Sequence, residues 1–312
     1  MRAPTRILVA AVAATALGAG LVAPADARPS HHPAPSPTRI ALPTGFEPEG
    51  ITIDRNGRAY LGSRVDGDIY AVNLRTGKGR VISQGPGTGS LGLKIDRQGR
   101  LFVAGAGAGV GRLVSARSGR VLATYHFTRN ASFVNDVVLT RRTAWFTDSN
   151  QAQLYGVARP RNGKIPTAVR TLRLTGDWVQ APGAIVANGI VQTPDHRALL
   201  VVQSNTGFLF RINPRTGVAH RVDLGGTLLT NGDGLLLRGR TLYAVQNQDN
   251  QIAVIKLNRT GTRGTKVRTL TSAGFDIPTT VAAHHGSLYL PNARFTVANP
   301  TTADFWITRV RP

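Results

Sequence analysis

One short pattern returns six times along this 312-residue chain, and it limits the possible folds more than any other feature. It opens at Glu49, Leu91, Asn135, Asn188, Asp233 and Thr279, at intervals of 42 to 53 residues. Each copy begins with a short strand carrying aliphatic residues at its centre, as in Glu49 to Asp54 (EGITID) and Asp233 to Arg238 (DGLLLR). A turn rich in Gly, Asn or Asp follows, then a second strand, a third, and in five copies an outer fourth. Four strands at this period predict an all-β, six-bladed β-propeller, with little helix because no stretch sustains a 3.6-residue period. The sixth copy ends after its third strand at Val310, which would leave an open sheet edge. Thr38 to Leu42 is predicted to fill that edge and close the ring.

The chain ahead of that strand reads differently. Arg2 and Arg6 precede an apolar run from Ile7 to Val22, and Ala25 and Ala27 supply small residues at the expected cleavage positions. This predicts a secretory signal peptide over 1–27, a Pro-, His- and Ser-rich leader over 28–37, and the propeller over 38–312. An extracellular location and a monomer are expected. With no cysteine, disulfides, thiolate metal sites and Cys nucleophiles are excluded. Lys plus Arg number 38 against 16 Asp plus Glu, a net charge of +22. The arginines fall in turns such as 97–100 and 238–240 and read as scattered, without stacking aromatics, so specific nucleic-acid binding is not expected. Loose attraction to an anionic cell-wall or membrane surface is the expected consequence.

In a propeller the first strand of each blade lines the axis, so the six opening residues should face one another at one end of the channel. Glu49, Asn135, Asn188 and Asp233 would form an all-oxygen set with two negative charges, suited to a hard divalent cation such as Ca²⁺. Asn231 is a candidate supporting group two residues before Asp233, whereas Asp136 should turn aside and bond within its blade. The second strand of each blade returns to the same end. Its exit loops nominate Asp148, Asn150, Asn205, Asn247, Asn292 and Arg294 for substrate contact. Turn chemistry is the alternative use of these amides. The long connection from Pro160 to Ala187, carrying Trp178, is a candidate lid.

Pro48-Glu-Gly, Val134-Asn-Asp, Ala187-Asn-Gly-Ile and Gly232-Asp-Gly resemble the blade-opening motifs of the SMP-30/gluconolactonase/luciferin-regenerating-enzyme-like (regucalcin-type) family, from about Phe46 onward. The resemblance implies metal roles for Glu49, Asn135, Asn188 and Asp233. It also implies lactone or ester hydrolysis with Asp233 as general base or nucleophile. Sugar-lactone members commonly have Arg-Pro ahead of Asn-Asp, where this chain has Phe133-Val134, so the resemblance implies Phe133 as a substrate contact and a less polar substrate. The rival reading is a non-catalytic propeller that binds a ligand or an anionic wall partner and keeps the cation for rigidity. No Gly-x-Ser-x-Gly elbow is present, and the seven His fall in turns or the leader, which argues against a serine hydrolase and a redox metal centre.

Overall fold

The computed structural model describes residues 37–312, together with Met1. The predicted signal peptide and leader otherwise lie outside the described residues. The described chain forms six sheets arranged as the blades of a propeller, five of four strands and one of five. Among the described residues, helix is confined to one 3₁₀ turn at Pro300–Thr302.

Blade 1 shows the common plan: Pro48–Ile53 is innermost, followed outward by Arg58–Ser63, Ile69–Asn73 and Gly79–Ser83, all antiparallel. Period-2 alternation gives each inner strand two apolar faces, and these pack between blades. Phe102, Tyr125, Phe146 and Tyr155, for example, form one buried cluster spanning blades 2 and 3. Closure is as expected. Arg39–Ala41 pairs antiparallel with Trp306–Val310, burying Ile40 against Phe305 and Ile307. Leu42 N–H donates to Phe305 C=O at 2.9 Å and Arg309 N–H to Thr38 C=O at 2.8 Å, extending the seam at both ends.

Blade 4 departs from the plan. Thr175–Gly176 adds a fifth, parallel strand beside Val218–Arg221, and Asp177 accepts the Arg221 N–H at 3.0 Å. Two residues carry no periodicity, so pattern reading could not find this strand. The same connection, the candidate lid, is anchored through Trp178 and Val179. Trp178 is buried against Phe210 at a ring separation of 5.0 Å, and Gln203 Nε2 donates to Val179 C=O at 3.0 Å.

The turns are sorted by face. Turns between first and second strands and between third and fourth strands share the end of the propeller away from the opening residues. Hydrogen bonds from Leu74 to Gly57, Ala116 to Gly99, Arg159 to Arg142 and Leu257 to Arg240 tie the two sets together in four blades. All these turns but one carry arginine, including Arg55, Arg97, Arg141, Arg197 and Arg240 in the first set. The exception carries His285. The turn arginines that look scattered along the chain therefore share one face, which corrects the sequence reading.

Candidate channel site

The four candidate ligands share a local device. In blades 1, 3, 4 and 5 the pairing of first and second strands shifts register, between Pro48 and Ile51, Val134 and Val137, Ala187 and Ile190, and Gly232 and Leu235. Each interval contains one opening residue: Glu49, Asn135, Asn188 or Asp233. A bulge re-aims the side chain it carries and frees it from the strict alternation of the strand. The second bulge residue is Gly50, Gly189 and Gly234 in three blades, where a Cβ would collide with the next blade. In blade 3 it is Asp136, for which the neighbouring Gly92 leaves room.

All four openers are buried, and their amides brace the ring. Asn135 Nδ2 donates to Ser149 Oγ at 3.0 Å, and that hydroxyl donates to Ala187 C=O at 2.6 Å. Asn188 repeats the pattern, donating at 3.0 Å to Ser204 Oγ, which donates to Gly232 C=O. In blade 5 Asn247 occupies the serine position and donates to Asp233 Oδ2 at 2.6 Å. Ser149, Ser204 and Asn247 each donate a backbone N–H to the residue two before the opener of their own blade: Phe133, Val186 and Asn231. Asn231 itself adopts φ 53° and directs its amide to Asp249 Oδ1 at 3.0 Å, so it supports the loop.

Electrostatically the openers form one site with two neighbours, Asp136, which the sequence reading set aside, and Lys94, which it did not consider. Burial, then Asp233, then Asp136 push the Glu49 carboxyl well above the usual range. Asp233 is pushed up to about 8, chiefly by burial; the Asn247 amide opposes this and the Asp136 charge adds to it. Asp136 does bond within its blade, accepting the Val137 N–H at 2.7 Å, but it also accepts the Ile190 N–H of blade 4 at 3.2 Å. Lys94 Nζ stands 3.9 Å from Asp136 Oδ1. When all are ionised, three carboxylates and one ammonium leave an excess of two negative charges. Arg64 lies further out, 32% exposed and paired with Glu47.

The donor set fits a hard divalent cation. Glu49 Oε2 and Asn188 Oδ1 are buried oxygens with no hydrogen-bond partner, and each belongs to a predicted ligand. Among the described residues no three His, Cys, Asp or Glu side chains cluster as a metal site, so the carboxamides are needed.

The predicted substrate contacts divide. Asn247 touches Asp233, and Asn150 and Asn205 are exposed at loop tips. Phe133 is half-buried and packs onto the core of blades 2 and 3. Two expectations are corrected. Asp148 is fully buried and accepts bonds from Phe133 and Asn150 N–H at 3.0 Å and from the Tyr155 hydroxyl at 2.7 Å. Asn292 is also fully buried, accepting from Asp276 N–H and donating to Trp306 C=O and Thr308 Oγ1. Both are spent on turns and cannot reach a diffusing ligand. Arg294 is held by Asp276 at 2.6 Å and by Asp304 C=O at 2.7 Å.

Fold and channel together define a six-bladed β-propeller with buried carboxylates and carboxamides at one mouth. Residues 36–72 match the family described as Strictosidine synthase-like, N-terminal. No curated protein sequence matches the chain significantly. Among solved structures, the Malassezia sympodialis allergen Mala s 1 superposes with a TM-score of 0.68 at 16% identity, covering 88% of this chain and 96% of that one. A calcium-binding protein, regucalcin, from Agrobacterium tumefaciens gives 0.62 at 17%, covering 88% and 93%. A gluconolactonase from Xanthomonas campestris gives 0.58 at 15%, covering 86% and 88%. The chain thus shares the fold of regucalcin and gluconolactonase, in keeping with the sequence resemblance, and these identities speak to the fold alone.

Proposed function

We propose that the chain is a secreted hydrolase of a small lactone or ester, with a calcium-class divalent cation in the channel. The observation that carries this reading is the pair of buried, partnerless oxygens, Glu49 Oε2 and Asn188 Oδ1, in a channel where three carboxylates face one ammonium, an excess of two negative charges when all are ionised. Glu49, Asn188, Asp233 and the Asn135 carbonyl oxygen would hold the ion. When bound, it supplies positive charge that polarises a carbonyl group and favours ionised carboxylates.

Asp233 is the base. Its carboxylate, oriented by Asn247, takes a proton from water as the water oxygen adds to the ester carbon, and returns that proton to the departing alkoxide. Asn150 and Asn205 offer amides at the loop tips, and Val65, Val179, Ile185 and Phe295 are exposed apolar side chains in loops of the mouth end. That composition supports a substrate less polar than a sugar lactone. The reading is tested by turnover of a lactone and aryl-ester panel with and without chelator, on the chain purified from culture medium.

A second reading, a propeller that keeps the cation only to brace its ring, is favoured by the serine relay, which stiffens the same positions. Calcium binding with no turnover on any panel member would select it.

A further inference from the structure

A groove of about 590 Å³ lies between blades 2 and 3 on the arginine-bearing face, away from the channel mouth. Arg97, Arg100, Arg141, Arg142, Arg159 and Arg161 line it, with Asp96 as its one carboxylate. Six guanidiniums against one carboxylate leave five positive charges.

Part of this cluster is held in place. Asp96 Oδ2 accepts Arg100 Nε at 2.8 Å and lies 3.7 Å from Arg159 Nη2, while Arg159 Nη1 donates to Thr140 C=O at 2.9 Å and Arg100 Nη2 to Pro160 C=O at 3.3 Å. The same carboxylate is already committed through Oδ1 to the Gln98 and Arg100 N–H groups. Arg159 Nε is buried without a partner. The side chains of Arg97, Arg141, Arg142 and Arg161 are exposed and make no hydrogen bond or ion pair among the described residues. Two guanidiniums are thus preorganised at the groove and four more surround them without a protein partner, leaving their donors available to an anion.

Guanidinium forks pair best with phosphoryl and carboxylate oxygens, and five excess charges at one groove exceed what a single monoanion can satisfy. We propose that this groove binds a chain of consecutive phosphoryl groups, as in inorganic polyphosphate. A planar lipid surface is the less favoured partner, because the charge is concentrated in one groove and the turns lining it present no large exposed apolar side chain for insertion.

The test is calorimetric titration of the purified full chain with inorganic tripolyphosphate and with orthophosphate, beside sedimentation with phosphatidylglycerol vesicles. Tripolyphosphate should bind at least about tenfold more tightly than orthophosphate. Arg141→Glu with Arg142→Glu should weaken it about tenfold or more, whereas Arg75→Glu with Arg215→Glu, the same charge change on the same face outside the groove, should cost less than about threefold. Arg161→Gln gives a milder groove variant should the double change lower the melting temperature, and it should weaken binding while Arg75→Gln does not. Equal losses in groove and control variants would reduce the effect to net charge and overturn the proposal. So would absence of tripolyphosphate binding, or vesicle binding that tripolyphosphate does not displace.

Discussion

The two ends of the propeller are built from the same strands and turns, yet they differ in chemistry. At the channel mouth the loops carry few basic residues, Arg64, Arg129 and Arg294, among Asp66, Asp68, Asp177, Asp249, Asp276 and Asp304. Beneath them sit Glu49, Asp136 and Asp233, buried and mutually repelling. At the other end nearly every turn contributes an arginine, mostly exposed, and little acid offsets them. Burial separates the two. Enclosed charges at the mouth are poorly screened and are driven to protonate or to take up a cation, whereas exposed charges opposite are screened by water and act at a distance limited by salt. The mouth is suited to chemistry on a small molecule and the opposite face to holding a polyanion.

If this division holds, changes at one end leave the other unaffected. The largest effect is expected for Asp233→Asn, which keeps an oxygen ligand and removes the base: kcat/KM should fall by at least about 100-fold, with tripolyphosphate affinity unchanged. Recovery of turnover at saturating calcium would show that Asp233 serves the ion alone. Glu49→Gln should lower calcium affinity by about tenfold or more and regain most activity at excess calcium. Bound metal, counted alongside the rates, separates the two variants.

A pH experiment sharpens the contrast in burial. Asp233 has a folded pKa of about 8. Its unfolded value is about 4. The raised value favours the neutral form in the fold. Its stabilising contribution is therefore complete below pH 4 and lost as pH climbs through 8. With chelator, the melting temperature should fall between about pH 4 and 8. Saturating calcium should abolish or reverse that fall. A profile identical with and without calcium would disconnect the carboxylates from the ion.

Smaller effects are expected from the supports. Asn247→Ala removes the amide that opposes the rise in the Asp233 pKa, so the limb of the activity profile that reports ionised Asp233 should move to higher pH. Cutting the chain after Leu42 removes buried Ile40 and Leu42, each contributing about 1.5–3 kcal/mol, and exposes the edge of the last blade. Cutting after Pro37 should leave the melting temperature unchanged, and equal values for the two truncations would refute closure by Arg39–Ala41.

Much of this was legible before the structure. Six openings in one register identify the fold, because propeller blades place equivalent positions around a common axis, and the same register nominated Glu49, Asn135, Asn188 and Asp233. The bulges were not legible: they insert a residue into one strand and leave the local apolar pattern intact, which is why Asp136 read as facing away from the site. Ser149 and Ser204 escaped notice because their partners, Ala187 and Gly232, lie in neighbouring blades. Asp148 and Asn292 were misassigned because an amide or carboxylate after a strand serves a turn as readily as a ligand, and only the hydrogen bonds distinguish the uses. The sorting of arginines onto one face was hidden for a related reason. It depends on which end of a strand a turn closes, and composition does not record that.

The central claim is that the channel mouth holds one divalent cation through Glu49, Asn135, Asn188 and Asp233. Calorimetric titration of the metal-stripped, purified chain with calcium, repeated on Glu49→Gln, tests it most directly. Saturable binding of a single ion, with proton release on binding and a marked loss of affinity in the variant, is the predicted result. Absence of binding, or affinity unchanged in Glu49→Gln, would contradict it.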